Sequence, residues 1–184
     1  RIVVRPPWVP MTDVVVPEGA TVLELEPGRA FGTGLHATTS LVAAVLDAHA
    51  ARLAGKVVLD AGTGSGILAF VALRLGAERV VAFDVDADVV EIVAENAARN
   101  GMSDRVEASA GTIDGVEGTF PWVLANIEAR VLDPIAEDLA ARVAPEGELV
   151  LSGILGPEEE RMVQRYTSLS TRLEPVAVTR KGDG

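Results

Sequence analysis

From Val57 to Ser152, five apolar runs of strand length alternate with three longer stretches whose apolar residues recur every three or four positions. Few architectures accept that rhythm. Runs of this length separated by segments of helical period specify βαβ units and a mostly parallel sheet. The runs are Val57–Asp60, Arg79–Asp84, Arg105–Ser109, Trp122–Asn126 and Glu148–Ser152. The first two are almost continuous Val, Leu and Ala, as expected of strands covered on both faces. The helical segments are Ile67–Leu75, Ala87–Asn100 and Ala129–Val143, rich in Ala, Leu, Val, Glu and Arg. Gly76 and Gly101 directly follow two of them, where a left-handed closing residue is wanted.

The flanks are less regular. Thr38–Leu53 reads as a helix entered from the turn-rich EPGRAFGTGLHATT. GPEEERMVQRYTSL reads as another, with Pro157 near its first turn and the acids Glu158–Glu160 at a solvated start. The tail from Thr171 to Gly184 offers one strand. Residues 1–26, with Pro6, Pro7, Pro10 and Pro17, are expected as extended strands or a connecting arm, and residues 27–184 as the α/β domain.

Composition removes several function classes. At 184 residues, 48% hydrophobic and 23% charged, the chain suits one ordinary globular domain. A net charge of −11 without any Lys/Arg run speaks against direct nucleic-acid binding. With zero cysteines there is no disulfide, thiolate metal site or thiol catalysis, which agrees with a cytoplasmic setting. Charges such as Asp47, Arg52 and Asp60 interrupt the most apolar stretches before any reaches membrane-spanning length. The chain begins at Arg1 and not at Met, so a removed targeting segment stays open.

The chemistry concentrates in VVLDAGTGSG, Val57 to Gly66. Glycines straight after a strand let the backbone turn sharply and let a ligand approach where a Cβ would collide. The dinucleotide fingerprint G-x-G-x-x-G is not what stands here, because Ile67 occupies the place of its third glycine. The pattern is D-x-G-x-G-x-G, led by Asp60. It resembles motif I of class I S-adenosylmethionine-dependent methyltransferases, whose loop passes beneath the amino acid portion of the cofactor. That cofactor has no pyrophosphate to seat on the helix N-terminus. Asp84 ends the next strand, where an acid accepts hydrogen bonds from both ribose hydroxyls. Asp86 suits the competing duty of capping the following helix, which leaves Asp84 free for ribose.

Three further stretches narrow the resemblance. EPGRAFGTGLHATT, then LAGKVVLDAGTGSGILA, then NAARNG and LANI are together similar to the ribosomal protein L11 methyltransferase family, from about Pro27 to Gly156. The resemblance implies a Rossmann-like, doubly wound, mostly parallel seven-stranded methyltransferase sheet, with the last strand missing if the chain stops at TRKGDG. It implies an N-methyltransferase that uses S-adenosyl-L-methionine and acts on amino groups of a ribosomal protein. Carried over by motif, the cofactor residues are Thr39, Gly62, Gly64, Asp84 and Asn126, with Phe31, Gly32, Thr33 and Gly34 lining the loop over cofactor and substrate. Asn126, ending the fourth run of the array, is the candidate to orient the acceptor amine, and His36 the candidate base. A base is optional, since an amine with a lowered pKa can lose its proton to water before attack. The displacement needs no metal.

The bland alternatives are a packing role for Trp122, a structural or exposed His49, and helix capping by Thr38 and Thr39. Family members also carry an N-terminal domain that grips the ribosomal protein, and only about 26 residues precede the loop here. Two other functions therefore stay open: a methyltransferase for a small-molecule amine, and a non-catalytic module that binds the cofactor as a partner or regulator.

Overall fold

The computed structural model describes residues 2–26, 37–169, 173–175 and 177–180. Strands β1 (Ile2–Arg5) and β2 (Thr21–Glu24) pair in parallel as a small separate sheet. Helices α1 (Ala37–Ala48) and α2 (Ala50–Leu53) follow. The alternating array comes next: β3 (Val57–Ala61), α3 (Ile67–Arg74), β4 (Arg79–Asp84), α4 (Asp88–Arg99), β5 (Val106–Ala110) and β6 (Phe120–Asn126). Two short helices, α5 (Ala129–Leu132) and α6 (Ala136–Ala141), lead to β7 (Val143–Ser152), and α7 (Glu159–Leu169) closes the series.

The main sheet is parallel throughout, in the order β5-β4-β3-β6-β7. From β3 the chain runs outward through β4 to β5, then returns to the other side of β3 as β6. The sheet's topological switch point therefore lies between β3 and β6, the place where open α/β sheets bind ligands. Alternation along the strands sorts the core into two layers. Val58, Val80, Ala82, Trp122 and Leu124 face α1, α3 and α4, while Leu59, Phe83, Val123 and Ala125 face α5, α6 and α7. The first layer also takes in Leu23 and Leu25, fully buried or nearly so, and Ile2 and Val4 pack on it.

Several expectations need correction. The helix expected over Ala129–Val143 is broken into α5 and α6, because Pro134 has no N–H to continue the first segment, and Val143 already belongs to β7. The helix expected over Thr38–Leu53 breaks at His49 (φ −110°, ψ 19°), whose Nδ1 lies 2.9 Å from the Val45 carbonyl. The expected tail strand does not form at residues 173–175 and 177–180. There Arg180 makes a two-pronged pair with Glu159 in the first turn of α7 (2.6 and 2.7 Å). Among the described residues the main sheet thus has five strands and not seven. Trp122 packs as expected, 3% exposed and with its ring centroid 6.1 Å from that of His49. Among the described residues no helix is long and apolar enough to cross a membrane.

Candidate functional site

Three polar side chains end three neighbouring strands. Asp60 lies one residue before the end of β3, Asp84 ends β4 and Asn126 ends β6. Register places Asp60 beside Leu124, and strand alternation puts all three polar residues on the face covered by α1, α3 and α4. They share the carboxyl edge of the sheet at the switch point.

Between Asp60 and α3 the backbone is forced into a tight turn. Gly62, Gly64 and Gly66 all have positive φ (67°, 53° and 80°), a conformation that costs other residues about 1–2 kcal/mol. Gly62 and Thr63 both donate N–H bonds to the Phe83 carbonyl (2.9 and 3.1 Å), locking the turn to the end of β4. At Gly62 there is no room for a side chain either, since an added Cβ would stand 2.6 Å from Ile127 Cγ2. The loop after β6 is gripped from its other side by the turn after β7: a Cβ on Gly153 would meet the Ile127 backbone at 2.7–3.1 Å. Three strand ends are thus pressed together with Ile127 between two glycines. Sequence reasoning missed Ile127 and Gly153, because nothing local marks a residue whose constraint comes from a neighbouring strand.

The carboxylates divide their work. Asp84 Oδ2 accepts the Gly64 N–H (3.0 Å) and Oδ1 accepts the Asp86 N–H (3.1 Å), which fixes its orientation. Asp86, expected to cap the following helix, accepts the Asp88 N–H at 3.0 Å, while Ala87 is the residue that flanks α4. Asp60 is 1% exposed and is held by the Thr63 hydroxyl (2.7 Å). Burial pushes its carboxyl up to about 6, against the opposing pull of the Thr63 hydroxyl and the Ala69 N–H, with the Asp84 charge adding to the rise.

On the other side of the switch point, Asn126 donates from Nδ2 to the Thr39 hydroxyl in the first turn of α1 (3.2 Å). Its Oδ1 is buried and has no hydrogen-bond partner among the described residues. A buried acceptor without a donor costs on the order of 1–3 kcal/mol, so such an atom marks a place for an incoming N–H or O–H. Thr38 and Thr39 lie within α1 and are not its flanking caps; the Thr38 carbonyl accepts the Ser152 hydroxyl from β7 (3.3 Å). The structure therefore joins Gly64 to Asp84 and Thr39 to Asn126, and gathers all of these with Gly62 at one edge. Phe31, Gly32, Thr33, Gly34 and His36 lie outside the described residues. A cavity of about 300 Å³ runs back from Thr39 beneath β1, between α1 and α3.

A parallel sheet of this order, with a glycine turn after its central strand and an acid ending the next, places the chain in the Rossmann-like α/β class. The family model described as ribosomal protein L11 methyltransferase (PrmA) matches residues 1–182, and the chain belongs to that family. It is 61% identical over 176 residues to the ribosomal protein L11 methyltransferase of Sorangium cellulosum, covering 96% of this chain and 55% of that protein. The protein of the same description from Geobacter metallireducens is 45% identical over 184 residues, covering 100% of this chain and 58% of that protein. This chain therefore spans little more than half the length of those curated relatives. The crystal structure of the ribosomal protein L11 methylase from Lactobacillus delbrueckii subsp. bulgaricus superposes with a TM-score of 0.86 at 30% identity, over 99% of this chain and 90% of that one.

Proposed function

We propose that the chain is the methyl-transferring part of an S-adenosyl-L-methionine-dependent N-methyltransferase acting on amino groups of a protein, with a ribosomal protein of the L11 kind as acceptor. The observation that carries the reading is the unpartnered Asn126 Oδ1 at the switch point. The berth beside it fits a nucleoside cofactor: the turn after β3 carries no side chain at Gly64, and both Asp84 oxygens keep lone pairs beyond those already used. Gly62 and Gly64 would run beneath the amino acid portion, Asp84 would accept from the ribose hydroxyls, and Thr39 and Asn126 would complete the cofactor contacts. Phe31, Gly32, Thr33 and Gly34 belong to the same proposal through the family resemblance. When bound, the cofactor supplies an electrophilic sulfonium methyl.

Asn126 does the orienting. Its Oδ1 accepts one N–H of the acceptor amine, which leaves the nitrogen lone pair free, and the bond from Nδ2 to the Thr39 hydroxyl steadies the side chain. Holding the reacting atoms in a fixed approach is worth far more than any acid–base group here. Asn126 is neutral and takes no proton, so a charged amine gives its proton to water before it reacts, or to His36 if that residue reaches it. The names of the relatives support the protein acceptor, and the composition and the absence of a spanning helix among the described residues agree with cytoplasmic work.

Calorimetric titration separates the cofactor classes: S-adenosylhomocysteine should bind, and tighter binding of NAD would sink the reading. Asp84→Ala should weaken the complex by about 1–3 kcal/mol. For the acceptor, radiolabelled cofactor is incubated with ribosomal protein and with a metabolite extract. Label in the polypeptide is the expected result. Label only in small molecules would replace the acceptor class, and none in either would make the chain a non-catalytic binding module.

A further inference from the structure

The stretch NAARNG has no task in the site so far, yet it holds a buried polar side chain with four hydrogen bonds, Asn96. Asn96 in α4 is 0% exposed. Its Nδ2 donates to the Glu26 carbonyl (3.2 Å) and to the Ser65 carbonyl (3.1 Å), while its Oδ1 accepts the Glu26 N–H (2.9 Å) and Arg99 Nη1 (3.2 Å). One turn further along, Asn100 repeats half of the device: Oδ1 accepts the Glu24 N–H (3.0 Å) and Nδ2 donates to the Glu24 carbonyl (2.7 Å).

The geometry explains why two asparagines four apart can do this. Four residues of helix rise about 6 Å, and two residues of strand advance about 6.6 Å. Each amide therefore meets alternate residues of the chain leaving β2, giving and taking one hydrogen bond as a paired strand would. Asn100 stops there. Asn96 alone reaches on to Ser65, between two of the glycines in the turn after β3. Because α4 starts directly beyond Asp84 and Asp86, one helix ties together both walls of the berth.

We infer that Asn96 is a positioning residue for cofactor binding, holding the glycine turn in place through the Ser65 carbonyl and coupling that turn to the backbone at Glu26. The inference rests on the cofactor reading proposed above. It requires that a ligand tightening the glycine turn also tighten residues 24–26, and the reverse, since coupling between sites is reciprocal.

Asn96→Asp keeps size and both acceptor roles but cannot donate to Ser65 or Glu26. Its affinity for S-adenosylhomocysteine should fall about tenfold, the loss of roughly one hydrogen bond, whereas Asn100→Asp, which breaks the same grip on Glu24 without touching the glycine turn, should bind as the unaltered protein does. Denaturation midpoints of the two variants give the stability loss that a merely structural role would share. Equal affinity in all three proteins, or equal losses in the two variants, overturns the inference. Hydrogen exchange on the unaltered protein needs no variant to fold: adding S-adenosylhomocysteine should slow exchange at the Glu24 and Glu26 amides together with those of residues 62–66. Slowing at 62–66 alone overturns the coupling. If the unaltered protein binds no S-adenosylhomocysteine, the cofactor reading falls and this inference with it; binding that is indifferent to Asn96 sinks the inference alone.

Discussion

Asp60 is ionised at the expense of the fold. A carboxyl whose pKa rises from 3.8 to about 6 on folding binds more protons in the native state than in the unfolded chain across that interval. Stability from this group is complete below the unfolded value and is lost as pH rises through the folded one, a difference on the order of 3 kcal/mol. Asp60→Asn deletes the titration. The stability difference between variant and parent, measured by urea unfolding at several pH values, should therefore shift toward the variant between pH about 4 and about 6 and stay level above it. A pH-independent difference would mean that water or another group relieves the buried charge. Legibility in the sequence divides here. Gly62, Gly64 and Asp84 could be picked out because a bare turn and a strand-end acid are local patterns. The open acceptor on Asn126 could not, since it depends on Thr39, 87 residues earlier, and the Asn96 bridge to Glu26 spans 70 residues.

Among the elements, α7 buries little and is also tied by ion pairs, Arg161 and Arg165 with Asp133 and Arg165 with Glu137. It buries only Met162 and Tyr166, and the Tyr166 hydroxyl donates to the Leu132 carbonyl at the end of α5 (3.0 Å). Leu132 ends a four-residue helix, so its carbonyl has no further helical partner. Burial raises the Tyr166 pKa, so the phenol stays a donor throughout the neutral range. Tyr166→Phe should lower unfolding free energy by about 1–2 kcal/mol, the cost of stranding a buried carbonyl, with S-adenosylhomocysteine binding unchanged because α7 covers the face opposite Asp84 and Asn126. A loss of binding on calorimetry would show that the second layer reaches the site. Strands β3, β4 and β6 were legible to within two residues because both faces are apolar. The break at Pro134 was passed over, as the apolar spacing of Ala129–Val143 continues across it. At β7 the register shift opposite Phe120 and Trp122, and the positive φ of Glu146 (60°), hid the first half of the strand. The tail reads as a strand from Val176, Ala177 and Val178, yet residues 173–175 and 177–180 form none, and the contact of Arg180 with Glu159 leaves no local trace in the sequence.

At the scale of the whole molecule, the net charge of −11 acts on what approaches it. An amine acceptor is protonated in solution near neutral pH, so it arrives as a cation, and a protein acceptor brings several such groups. An acidic surface attracts them over roughly a Debye length, about 10 Å at 0.1 M salt and about 3 Å at 1 M. Attraction of this kind speeds encounter and leaves the bound arrangement alone. For a lysine-rich protein acceptor, kcat/KM should therefore fall steeply as salt is raised from about 0.05 to 0.5 M, while kcat stays level, because Asn126, Thr39 and the glycine turn are held by short-range bonds that salt hardly screens. The cofactor, small and carrying both signs of charge, should show a much weaker dependence in the same assays. A kcat that fell in parallel with kcat/KM would place the salt effect inside the assembled site and would argue that the acceptor amine is held by a charged group and not by the neutral oxygen of Asn126.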